Sequence, residues 1–264
     1  MHASARFLLT PARALASLLL LSLVVTACAQ APITGRSQFM IVSEDDAQRM
    51  GLQAYQQIMA QSKLSADPQA NARVKRIGAD IARVSQNIGG QWEFNVIDDP
   101  KTINAWALPG GKVAVYTGLL NLGVSDDELA AVMAHEVGHV IAQHSRERLS
   151  QAVATDLGLQ VLGASGKLGP GALDAVNLAL GVGVGLPFGR LQESEADFVG
   201  LNLMAQAGYD PRAAITLWQK MSRGDKNGPP EFLSTHPSSE HRMRDIEAAL
   251  PKVMPIYEAN KRKG

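Results

Sequence analysis

The run His135-Glu136-Val137-Gly138-His139 places two imidazoles and a carboxylate at the H-E-x-x-H spacing, which could hold a divalent cation and activate water beside it. Four residues turn an α-helix by roughly 400°, so the two rings project from adjacent turns of one face and can meet one ion. Glu136 lies about 100° round the helix from His135, beside the ion rather than on it, where a base taking a proton from attacking water must stand. With zinc as the ion, water is acidified to a pKa of roughly 7 and a scissile carbonyl is polarised. The chemistry on offer is metal-assisted hydrolysis. The competing reading is a chance match on an ordinary amphipathic helix, which is rare in a chain of this length.

Two elements have to position these groups. Ser125-Asp126-Asp127-Glu128 forms a capping box with an acidic first turn, and Leu129, Val132, Met133, Val137, Val140 and Ile141 follow at helical spacing, so the motif falls on a helix. A hydrolytic zinc site also needs a third protein ligand and one open position. Residues 191 to 207 read as a second helix ending at Gly208, a C-cap. Glu193 and Glu195 are both candidate ligands there, but at about 200° apart they cannot both face one ion. Asp197 favours Glu193, because it shares that residue's face at i,i+4 and could orient a ligating histidine through its distal N–H. Glu195 has Val199 at the same offset and no such partner. Without the histidine pair these acids would read as a solvated helix face.

His135-Glu136-Val137-Gly138-His139 followed by Glu193-Ser194-Glu195-Ala196-Asp197 resembles the H-E-x-x-H and E-x-x-A-D pair of the HtpX and CAAX-prenyl-protease family of gluzincin metalloendopeptidases. Asn104 to Gly111 ahead of Val113-Ala114-Val115-Tyr116, Ser234-Thr235-His236-Pro237 and Arg242 extend the resemblance over nearly the whole mature chain. With Thr34-Gly35-Arg36 near the start, the order most resembles the bacterial periplasmic lipoprotein members and the mitochondrial Oma-type protease. The resemblance implies one zinc per chain on His135, His139 and Glu193, catalysis by Glu136 and support from Asp197. It implies an α+β, mostly helical zincin-like domain with a small sheet beside the active-site helix.

Arg6 and Arg13 precede an apolar run from Ala14 to Ala27 that is too short to span a bilayer and reads as a secretory signal over residues 1–27. Val25-Thr26-Ala27-Cys28 resembles a bacterial lipobox, which makes Cys28 the lipidated N-terminus; it is also the only cysteine. The expectation is a periplasmic protein of the cell envelope, lipid-anchored to the outer membrane. Residues 28–42, with Pro32 and Gly35, read as a tether, 43–251 as one domain and 252–264 as a frayed tail. Without Arg6 and Arg13 the 25 basic and 25 acidic residues become 23 and 25, a near-neutral balance that argues against a nucleic-acid partner.

Upstream of the motif, an amphipathic helix is expected from about Ser43 to Gln61 and another after Asp67-Pro68, an N-cap with proline at N1. Trp92 to Ile97 and Lys112 to Tyr116 alternate like strands. The second, just before the motif helix, is expected to pair with extended substrate backbone, and the resemblance implies that Ala105 to Leu108 and the turn at Pro109-Gly110-Gly111 sit close to the same groove. Gly110-Gly111 could equally do no more than shape a hairpin. Residues 145–190 read as two apolar helices divided by Gly163 to Gly171, either a buried hairpin or a mobile lid.

His236, held extended by Pro237, could bind the open metal position at rest or donate to a developing oxyanion, against the reading of a surface histidine. It joins Glu136 and Asp197 as a catalytic candidate. Arg242 reads as orienting substrate or a ligand, or as an ordinary helix charge. His144 points away from the 135/139 face of a continuous helix, and neither it nor His241 is assigned a role. The combined expectation is a zinc endopeptidase, and the resemblance alone implies unfolded or misfolded envelope proteins as its substrates, in quality control. The rivals are a chaperone-like assembly factor and a hydrolase of cell-wall peptides.

Overall fold

The computed structural model describes residues 28–85, 90–163, 188–222, 231–236 and 240–261. A hairpin of β1 (Cys28–Gln30) and β2 (Ser37–Phe39) precedes α1 (Glu44–Gln61) and α2 (Pro68–Val84). Strands β3 (Gly90–Ile97), β4 (Ala105–Leu108) and β5 (Gly110–Tyr116) lead through a single turn, α3 (Thr117–Leu120), into α4 (Asp126–Ile141) and α5 (His144–Gly163). Then come α6 (Arg190–Ala207), α7 (Ala213–Ser222), α8 (Glu231–Thr235) and α9 (Glu240–Asn260). The fold is α+β and mostly helical, as expected. The leader at 1–27 and the second apolar run expected at Ala172 to Leu186 lie outside the described residues. No helix of the described residues is long and apolar enough to cross a membrane.

The local signals hold where side chains cap the backbone. Ser43 accepts from Asp46 N–H at the head of α1, and Asp67 accepts from Gln69 and Ala70 N–H ahead of Pro68 in α2. Ser125 and Glu128 close a reciprocal capping box on α4, and Gly208, in the left-handed region, ends α6. Every residue of α4 from Glu128 to Ile141 is buried. A helix enclosed on all faces can sit only at the centre of a domain, and α4 is packed by α2, α6, α7 and the sheet.

The sheet runs β3-β5-β4, with β5 parallel to β3 and antiparallel to β4. This corrects the expectation for Lys112 to Tyr116: β5 is the interior strand, with both edges already paired. The hairpin at Pro109-Gly110 folds β4 onto one side and the return from β3 fills the other. Among the described residues, the edge left free beside α4 belongs to β4.

Two terminal segments are more ordered than their sequence implies. The residues read as a tether pair antiparallel, Cys28 opposite Phe39, and bury Ala31, Gln38 and Met40. Helix α9 runs on past Pro251 and Pro255 to Asn260 with Val253 buried, so the tail expected to fray from Lys252 is helical over most of its length.

Candidate metal centre

Helices α4 and α6 cross backbone to backbone. A Cβ on Gly138 would lie 2.8 Å from Ala196 O, and one on Gly200 would lie 3.0 Å from His135 N. These two positions must therefore be glycine for the helices to approach this closely, and the approach brings Glu193 to the histidine pair.

His135 Nε2 and His139 Nε2 are 3.0 Å apart, and His135 Nε2 is 3.3 Å from His236 Nδ1. Glu193 Oε1 lies 3.0 Å from His236 Nδ1 and 3.4 Å from His139 Nε2, while its Oε2 is 3.5 Å from His135 Nε2. A tetrahedral zinc with ligands at its usual bond lengths has donor atoms roughly 3.3 Å apart. Four distances among His135 Nε2, His139 Nε2, His236 Nδ1 and Glu193 Oε1, 3.0 to 3.4 Å, are close to that spacing, the four residues' ligand atoms all lie within 4.8 Å of one another, and all four residues are buried. The donor set fits zinc, and the fit includes His236 at the fourth corner.

Each ligand candidate is held from behind. His135 Nδ1 is 2.9 Å from Asp197 Oδ1, and Arg242 grips that carboxylate through Nε at 2.5 Å and Nη2 at 2.8 Å. Arg242 Nη1 is also 2.5 Å from Glu193 Oε2, and its guanidinium stacks on Trp218 at 3.9 Å. His236 is sandwiched between Phe232 and Phe188, with ring centroids at 4.5 and 5.4 Å. His139 Nδ1 lies 2.8 Å from His144 Nδ1, whose Nε2 is 3.0 Å from Glu195 Oε2.

His144 corrects the sequence reading. Helix α4 stops at Ile141, Gln143 takes a left-handed backbone (φ 57°), and α5 starts at His144, so the ring swings back onto His139. Gln38 Nε2 donates to the Ala142 carbonyl at the break. Arg242 is likewise buried, 3% exposed, against Asp197 and Glu193, and is not an ordinary exposed helix charge. Glu195, rejected as a ligand for want of a partner on α6, has its partners on other elements. His241 is exposed.

Electrostatics separate the carboxylates. Burial pushes Glu136 up to about 7, with Glu193 adding to the shift and His236 and Arg242 opposing it. For Glu193 the same burial is outweighed by His236, Arg242 and the hydrogen bonds from His135 and His139, which hold it well below the carboxylate range. Asp197 is also held low, Arg242 and His135 overcoming its burial. Burial takes His139 well below its ordinary value, which keeps the ring neutral and able to ligate. Glu136 receives the Ala107 N–H from β4, and its Oε1 is 3.3 Å from His236 Nε2.

Residues 68–250 match the model of peptidase family M48. The mitochondrial metalloendopeptidase OMA1 of Schizosaccharomyces pombe is 41% identical over 230 residues, covering 84% of this chain and 66% of that protein. Its counterpart in Saccharomyces cerevisiae is 32% identical, covering 87% and 71%. The beta-barrel assembly-enhancing protease of Escherichia coli K12 is 27% identical, covering 85% of this chain and 48% of that protein. These relatives overturn the location expected from Val25 to Cys28: those at 41 and 32% identity are mitochondrial, and the periplasmic, outer-membrane placement does not stand.

Proposed function

The chain belongs to peptidase family M48, and from that premise we propose that His135, His139 and Glu193 hold a catalytic zinc with which Glu136 cleaves extended segments of unfolded or misfolded proteins. The observation carrying this is the convergence of four buried donor residues, their ligand atoms all within 4.8 Å of one another, beside a buried carboxylate whose pKa is raised to about 7. When bound, zinc would polarise the scissile carbonyl and acidify the attacking water.

The chain's own residues do the rest. The free edge of β4 takes substrate backbone by strand addition, and Ala107, whose N–H already reaches Glu136, sets the register of the scissile bond. Glu136 accepts the proton of the attacking water and returns it to the leaving amine, a task suited to a group titrating near neutrality. Asp197 and Arg242 fix the tautomer and orientation of the His135 ring. His236 would help hold the metal through Nδ1, and its Nε2, 3.3 Å from Glu136 Oε1, stands where an N–H could donate to a developing oxyanion.

Zinc content and casein cleavage, measured beside Glu136→Gln, test this reading. Stoichiometric zinc in both proteins with a loss of turnover of about 10²–10⁴ in the variant is expected. Correctly folded protein without zinc would end it. The assembly role printed in the bacterial relatives' name gives a second reading, binding without cleavage. If Glu136→Gln still rescues a deletion strain, that second reading is the better one.

A further inference from the structure

The turn of the β1–β2 hairpin reaches the metal centre from outside. Ala31 N–H donates to Arg36 O at 2.8 Å and Gly35 N–H to Ala31 O at 2.9 Å, closing a turn that projects Thr34 and Arg36 onto α5 and α6. Thr34 Oγ1 donates to Glu195 Oε1, and Arg36 Nε donates to Glu195 Oε2 at 2.6 Å. The other two Arg36 nitrogens form a fork on Glu147, at 3.0 and 2.8 Å. Glu147 also accepts from Gln192 at 2.9 Å, so one guanidinium ties α5 to the first turns of α6. Glu195 and Glu147 have side chains 4% and 7% exposed, whereas that of Arg36 is 24% exposed. The clamp is built from inside and latched from outside.

The proton positions along this chain of contacts follow from the donor inventory. With His139 Nε2 directed at the metal, its Nδ1 carries the proton and donates to His144 Nδ1. His144 then carries its proton on Nε2 and donates to Glu195, which is acceptor-only. Glu195, the third residue in from the metal after His139 and His144, is thereby oriented by Thr34 and Arg36.

We propose that Arg36, with Thr34, is a positioning residue of the metal centre: the docked N-terminal hairpin fixes Glu195, and through His144 the His139 ring, so that lifting the hairpin loosens the metal. This rests on the zinc reading of His135, His139 and Glu193. A segment that reads as a tether thus controls the metal from outside the motif helices, and hairpin docking is a point at which metal occupancy, and so activity, is set.

The test uses the full chain loaded with cobalt(II) in place of zinc, reading the visible ligand-field bands and the affinity by chelator competition. Arg36→Ala is expected to weaken the metal about 10–100-fold, the usual cost of losing an outer partner, and to shift the bands. Arg36→Lys should recover only part of this, since an ammonium replaces the charge but not the fork. Arg36→Ala combined with His144→Ala should cost no more than His144→Ala alone, because the two act in series. Arg73→Ala, which breaks the pair with Asp126 at the head of α4, should lower the melting temperature and leave the bands unchanged. If Arg36→Ala does not fold, Thr34→Val, which removes a single hydrogen bond, decides. Wild-type bands and affinity in Arg36→Ala and Thr34→Val overturn the latch and leave the zinc reading standing. Failure of the unmodified chain to bind cobalt or zinc overturns both.

Discussion

Glu136 and Arg242 show how single residues divide the work at a buried site. Glu136 must be ionised to act as a base, so activity rises with pH as it deprotonates. Its pKa is about 7 from burial, and a cation beside it favours the carboxylate. The acid limb of kcat/KM is therefore expected at or below about 7, and a limb displaced above it would exclude Glu136 as the base. Arg242 faces Asp197, Glu193 and Glu136 as the compensating charge. Arg242→Met should destabilise the metal-free protein by about 3–5 kcal/mol, the cost of leaving buried charges unpaired. Added zinc should restore part of that loss, because it brings positive charge back to Glu193. A melting curve with and without zinc checks both, and an unshifted curve would show that Arg242 is not the charge that compensates the buried acids.

At the scale of elements, the crossing of α4 and α6 decides whether there is a site at all. Gly200→Ala puts a methyl 3.0 Å from His135 N and 3.1 Å from Ala134 C, backbone atoms that cannot turn aside. The helices must part by a few tenths of an ångström, at a cost of about 1–3 kcal/mol. Glu193 then draws back from the histidines, so metal affinity should fall together with stability. Unchanged affinity in a folded Gly200→Ala protein would show that the crossing does not set the ligand geometry. What was legible beforehand follows the same division. Ser125 and Glu128, Asp67-Pro68 and Gly208 act within a turn of themselves, so α4, α2 and α6 could be read from sequence spacing. Glu193 could be read because Asp197 is four residues away on the same helix. His144 could not, because its direction depends on a break at Gln143 that no residue type announces. Arg36, Thr34 and Arg242 meet their partners across more than forty residues of chain, where spacing carries no information. The placement of β5 inside the sheet was hidden for the same reason: edge or interior is decided by what pairs with a strand, not by its own alternation.

For the whole molecule, many carboxylates hold the fold together while ionised. Burial alone would raise Glu128, but Lys220 at 2.7 Å and the Ser125 N–H outweigh it and keep its folded pKa below the ordinary value. Asp126 is likewise lowered, Arg73 and Arg76 overcoming its burial. Glu195 is held at about 2 by His144, Thr34 and Arg36 against the same opposing effect. A carboxylate whose folded pKa lies below its unfolded value stabilises the protein above that unfolded value, about 4.3 for glutamate, and the contribution is lost as pH falls toward the folded one. Glu136 has the opposite sign. Its folded pKa is raised, so its contribution is present below the unfolded value and lost as pH rises through about 7. The metal-free protein is therefore expected to be most stable close to the unfolded carboxylate value, falling away below about pH 4 through the depressed acids and losing a smaller amount between about 4.3 and 7 through Glu136, whose slope vanishes once it is ionised in both states. Two variants separate the limbs. Glu128→Gln should flatten the acid side, because the lost charge no longer titrates, while Glu136→Gln should leave the acid side as it is and remove the decline between about 4.3 and 7. Urea unfolding across pH 3 to 9 measures both slopes, and an acid limb that survives unaltered in Glu128→Gln would mean that the capping pair with Lys220 contributes nothing to the stability of α4.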